Sequence, residues 1–99
     1  MNVAIPGQGR VIGFYGSNAQ AMVHMEECAE LIQAISKMRR VKNDGKDDSA
    51  AYENLVEEMA DVLISLEQMK LMYDIPDHAI QGMIDRKCAR QEERIRGHE

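Results

Sequence analysis

In Ser17-Asn-Ala-Gln-Ala-Met-Val-His-Met-Glu-Glu-Cys-Ala-Glu-Leu-Ile-Gln-Ala-Ile-Ser-Lys-Met-Arg-Arg40, the residues Met22, Met25, Ala29, Ile32 and Ile35 recur at steps of three and four. That is the period of an amphipathic helix, and the cations at its end favour a helix C-terminus. Ser17 with Gln20 three residues on reads as a capping box, which predicts a helix over about 18–40. Val41 to Asp48, containing Asn43-Asp44-Gly45, is a polar loop. Tyr52, Leu55, Met59, Leu63, Leu66 and Met69 then repeat the same spacing and predict a second helix over about 49–73. Pro76 closes that segment and suits the first turn of a third helix over about 76–96, whose stripe is Ile80, Met83 or Ile84, Cys88, Gln91 and Ile95 and whose stop is Gly97. Residues 1–16, with Gly7, Gly9, Gly13 and Gly16, have no helical period and read as an irregular N-terminal segment. Gly7-Gln-Gly9 lacks the following residues that a phosphate-binding glycine loop requires.

The expectation is an all-α fold, with a three-helix protomer behind an N-terminal loop. Leu31, Ala34 and Met38 lie off the main stripe of the first helix, so that helix is apolar on more than one face. Helices from a second chain are therefore expected to cover it, completing a four-helix-bundle-type core in a homo-oligomer.

Composition narrows the function. A chain of 99 residues is one domain's worth, and 44% hydrophobic with 29% charged residues is the balance of a folded domain rather than a disordered one. The formal net charge of -5 disfavours holding a nucleic acid polymer through its phosphates. No apolar run is long enough to span a membrane and no signal-peptide layout opens the chain, so a cytoplasmic location is expected. Cys28 and Cys88 lack metal-type spacing and read as small core residues or incidental thiols.

The chemistry is carried by a repeat: Met25-Glu26-Glu27-Cys28-Ala29-Glu30 and Val56-Glu57-Glu58-Met59-Ala60-Asp61. Residues three apart on a helix share a side, so Glu27 with Glu30, and Glu58 with Asp61, each form a two-carboxylate pincer. One such pair is ordinary surface decoration. Two pairs among apolar neighbours imply partly buried acids, which repel one another unless a cation offsets them. Mg²⁺, with Mn²⁺ as a substitute, fits an all-oxygen set, and the lack of a Glu-x-x-His motif argues against a di-iron bundle.

The two motifs, with the wording Glu26-Glu27-Cys-Ala-Glu30-Leu-Ile-Gln-Ala34, resemble the signature of the MazG-like all-α nucleoside triphosphate pyrophosphohydrolases, and the likeness runs from about Tyr15 to Ile95. The resemblance implies a helical bundle completed by dimers or tetramers, with Mg²⁺ held by Glu27, Glu30, Glu58 and Asp61. It further implies cleavage of a nucleoside triphosphate between its α and β phosphates. Glu26 would support the ligands or orient the attacking water, and Glu27 would share in catalysis. Lys87, Arg90 and Arg94, at three- and four-residue steps in a stretch similar to the family's basic C-terminal segment, would bind phosphates. Phe14 and Tyr15 could stack on the base, and Gln20, Asn18 or Asn54 could read its edge, or these side chains could pin and cap. Two other readings compete. A phosphoribosyl-ATP pyrophosphohydrolase has similar acids, but Gly16-Ser17-Asn18 stands where its segment before the first motif would differ. A helical oligomeric adaptor would use the acids only for assembly.

Overall fold

The computed structural model describes residues 1–98, and all the regular structure among them is helical. Four helices follow one another: α1 over Gly9–Tyr15, α2 over Ser17–Asn43, α3 over Ser49–Met72 and α4 over Asp77–His98. The expected three-helix layout is thus corrected to four, because residues 9–15 of the supposedly irregular segment form a short helix. Gly16 separates α1 from α2. Its φ of 88° and ψ of 150° belong to a region that only glycine enters readily, and its amide donates to the Ile12 carbonyl at 2.7 Å. The capping box is also absent: Gly16 is the cap residue of α2, Ser17 is already helical, and no side chain caps the end. The last helix passes through Gly97 rather than stopping there.

Helices α2 and α3 form an antiparallel hairpin, the main packing unit. Its turn is a Schellman closure. The Lys46 amide reaches the Val41 carbonyl and the Gly45 amide the Lys42 carbonyl, both at 3.2 Å, with Gly45 at φ 65° in the left-handed position. Lys42 pairs with Asp48 across the turn at 2.5 Å, and Asp47 accepts from the Ser49 hydroxyl at 2.8 Å to open α3. Asp74, at φ 52°, ends α3 by the same kind of closure, with the Ile75 amide on the Lys70 carbonyl at 2.9 Å. Lys70 joins Glu67 at 3.1 Å and also Asp77, tying the start of α4 to α3.

The seam of the hairpin departs from the apolar stripe that periodicity picks out, of which Leu55, Leu63 and Met69 on α3 are half-buried and the α2 members are exposed. Among the described residues the buried hydrophobic side chains are Ala34 and Ala51, and beside them lie Gln20, His24, Ser65 and Gln68. Met25 at 67% and Ile32 at 68% exposure point outward, as do Met22, Ile35, Tyr52, Met59 and Leu66. Leu31, Ala34 and Met38, which lie off the stripe, are the ones turned towards α3. Polar groups that pair across the seam set the facing sides, and the broad apolar surface is left outside. Both cysteines are exposed, so neither is a core residue. Helix α4 is exposed along its length and makes only marginal contact with the hairpin. No helix among the described residues is long and apolar enough to cross a membrane.

Candidate metal centre

Register across the hairpin brings the acids together. Gln20 lies opposite Gln68, Glu27 opposite Asp61 and Glu30 opposite Glu58, each pair equidistant in sequence from Asp44 in the turn. Because both helices carry their acids at i and i+3, one antiparallel register superimposes the two pincers. One carboxylate oxygen from each of Glu27, Glu30, Glu58 and Asp61 lies within 4.8 Å of all the others. Glu30 is exposed and the other three are half-buried, so the cluster opens to solvent along one flank.

The electrostatics are those of a site short of positive charge. Burial pushes the Glu27 carboxyl up to about 7, helped by the charges of Asp61 and Glu30, by a hydrogen bond shared with Asp61 and by the charge of Glu58. Glu58 is pushed up too, first by burial and then by the charge of Glu30 and a hydrogen bond shared with it. Glu27 Oε2 and Glu58 Oε2 are buried and have no hydrogen-bond partner. Oxygens in that state carry a desolvation penalty that protein groups do not offset here. Four carboxylates with no nitrogen or sulfur donor among them are the donor set of a hard divalent cation such as Mg²⁺ or Mn²⁺. The residues therefore fit that ion.

Beside the cluster lies a feature that the residue pattern did not single out. Gln68 Oε1 accepts from Gln20 Nε2 and from His24 Nε2, both at 2.8 Å, and Gln68 Nε2 donates to Gln8 Oε1 at 3.0 Å. The network fixes α1, α2 and α3 at the N-terminal end of the acid cluster. Folding the sequence about Asp44 would have found the Gln20–Gln68 pair. Gln20 is thus buried, with its side-chain amide committed to Gln68.

The remaining candidates lie apart from the acids. Glu26 is exposed and outside the group of four. Phe14 and Tyr15 end α1 with exposures of 80% and 61% and touch each other edge to face at 4.8 Å, so they do not pin the N-terminal segment. Asn18 is exposed. Lys87 and Arg90 line a shallow depression on α4 with Met83 and Arg86, and Arg94 lies further along the same exposed helix. Within one protomer these α4 cations do not join the acids. Asn54, by contrast, lines an open cleft of about 640 Å³ that begins at Glu30 and Glu58 and continues past Gln33 and Ser36 to Lys37 and Arg40. Comparison of the chain with protein-family models, with curated proteins and with solved structures returned no match.

Proposed function

We propose that this protein is a Mg²⁺-dependent nucleoside triphosphate pyrophosphohydrolase that yields a nucleoside monophosphate and pyrophosphate, acting in nucleotide-pool housecleaning. The observation that carries the reading is the convergence of Glu27, Glu30, Glu58 and Asp61, with two buried carboxylate oxygens lacking partners. In this reading the four side chains hold the cation. When bound, such an ion neutralises the triphosphate, lowers the pKa of water and aligns attack with departure. The reaction joins a water oxygen to the α-phosphorus. The bond from that phosphorus to the α–β bridging oxygen breaks, and pyrophosphate departs with the electron pair. A carboxylate at the cluster would accept the water proton, and Glu26, next to the ligand Glu27 and outside the group of four, would orient that water.

The catalytic unit is a homo-oligomer. Large apolar side chains on the outer face of α2 and α3 and the unpacked α4 support this, because a second copy would cover them. Lys87, Arg90 and Arg94 would then meet substrate only as residues delivered by another copy, while Phe14 and Tyr15 are free to stack on a base. An oligomeric adaptor accounts equally for the apolar face, but it leaves the two buried, unpaired carboxylate oxygens of Glu27 and Glu58 without a reason. The test is pyrophosphate release from a panel of nucleoside triphosphates, with Mg²⁺ and with chelator. Mg²⁺-dependent release by the wild type that is absent in Glu58→Gln supports the enzyme. A folded, oligomeric protein that Mg²⁺ neither stabilises nor activates supports the adaptor.

A further inference from the structure

The cleft that leaves the acid cluster changes sign along its length. Glu30 and Glu58 stand at one end, Gln33, Ser36 and Asn54 line the middle, and Lys37 and Arg40 stand at the other. On α2, Glu30, Gln33, Lys37 and Arg40 follow steps of three and four, so they share a side. Lys37 lies about 10 Å and Arg40 about 15 Å beyond Glu30 along the helix axis. Side chains on a helix lean towards its N-terminus, which inclines both cations back towards the acids. Neither cation has an ion-pair partner among the described residues, whereas the nearby Lys42 is committed to Asp48. The C-terminal end of α2 and the N-terminal end of α3 lie side by side in the hairpin, so their opposed dipoles largely cancel. Any anion there depends on side chains rather than on helix ends.

We propose that Lys37 and Arg40 hold the β- and γ-phosphates of the substrate, which become the pyrophosphate leaving group, within the same protomer that supplies the acids. Gln33 and Asn54 donate to the phosphate oxygens from the two walls of the cleft. The proposal deepens the pyrophosphohydrolase reading and rests on it. It also assigns the leaving-group end of the substrate to the turn end of the hairpin, and the base to the opposite end, towards α1.

Titration of inorganic pyrophosphate into the full chain, with Mg²⁺ and with chelator, tests it. Lys37→Ala and Arg40→Ala are each expected to weaken binding about tenfold or more, the loss expected for a charge-assisted hydrogen bond. Arg39→Ala, which removes the same charge from a neighbouring position outside the cleft, should stay within about twofold. All three variants should keep the thermal stabilisation that Mg²⁺ gives the wild type, and Lys37→Arg should recover most of the loss. Wild-type affinity in Lys37→Ala and Arg40→Ala overturns the proposal, as does an Mg²⁺-stabilised wild type that binds no pyrophosphate. In both cases the metal centre stands. A chain that ignores Mg²⁺ removes the metal reading instead. Pyrophosphate binding in chelator that depends on Lys37 and Arg40 then still upholds the cleft, and its absence overturns both.

Discussion

Glu27 and Glu58 are costly residues for a metal-free chain, and that cost makes their role measurable. The folded chain holds a proton on Glu27 up to about pH 7, whereas the unfolded chain gives it up near the ordinary value of 4.5. Between those values the folded state binds more protons, so stability falls as pH rises. The metal-free protein is expected to melt at a lower temperature at pH 8 than at pH 5, and Glu27→Gln should flatten the slope in calorimetry. Mg²⁺ at a hundred times its dissociation constant should raise the melting temperature at pH 8 on the order of 10 °C. Glu58→Gln separates a metal ligand from a structural acid. It removes a repelled charge, so the metal-free variant should be at least as stable as the wild type at pH 8, yet lose most of the Mg²⁺ response and about 100-fold or more in turnover. A variant that is destabilised without metal and fully active with it would contradict the assignment.

At the scale of elements, the hairpin carries the site and its register is the decisive quantity. The four acids were legible in the sequence because i, i+3 spacing is a property of one helix and needs no tertiary knowledge. Their convergence was expected from the family resemblance and not from spacing, since it depends on how α2 lies against α3. On α2 apolar periodicity pointed to the wrong face, since Met25 and Ile32 dominate the pattern but lie outside while Gln20 and His24 occupy the seam. On α3 it was half right, with Leu55, Leu63 and Met69 half-buried and Tyr52, Met59 and Leu66 exposed. His24 Nδ1 is already buried without a partner, so the seam depends on the bonds that do form, and Gln68→Leu, which strips Gln8, Gln20 and His24 of theirs, should cost about 1–3 kcal/mol in denaturant unfolding. Helix α1 escaped notice because it is short and glycine-rich, and its end depends on backbone geometry at one residue. A Cβ on Gly16 would meet nothing within 4 Å, so the penalty of Gly16→Ala is purely conformational, about 1–3 kcal/mol. Gly13→Ala inside α1 also meets nothing within 4 Å and should instead be stabilising by about 0.5–1 kcal/mol. Equal losses at both glycines would refute the account of the α1–α2 junction.

For the whole molecule, surface area argues for a partner more strongly than any single residue. The chain exposes 7915 Å², whereas a folded monomer of its mass exposes about 5,700 Å². Its radius of gyration is 16.9 Å, against about 13 Å for a compact chain of this length. The excess of roughly 2,000 Å² per chain is more than twice the share that one partner contributes to an interface of standard size, which places it in the range of obligate assemblies. The apolar residues are where such an interface needs them, on the outer face of the hairpin and in the cavity of about 650 Å³ between α3 and the start of α4, lined by Leu63, Leu66, Ile80 and Ile84. Among the described residues the buried hydrophobic side chains are Ala34 and Ala51, a small centre to set against the entropy of ordering some ninety residues. Light scattering at micromolar concentration should therefore give a multiple of the chain mass, and the melting temperature should rise with protein concentration. Ile35→Glu, at 45% exposure in the protomer, replaces an exposed apolar side chain that belongs neither to the acid cluster nor to the lining of the cleft. It should lower the assembly state and the melting temperature together, whereas the same substitution on the surface of a true monomer would change neither. If the α4 cations act from a neighbouring copy, Ile35→Glu should also cut turnover at low protein concentration and regain it as concentration rises. A monomer with a sharp, concentration-independent melt would leave the exposed face without a partner and move the whole catalytic site into one chain.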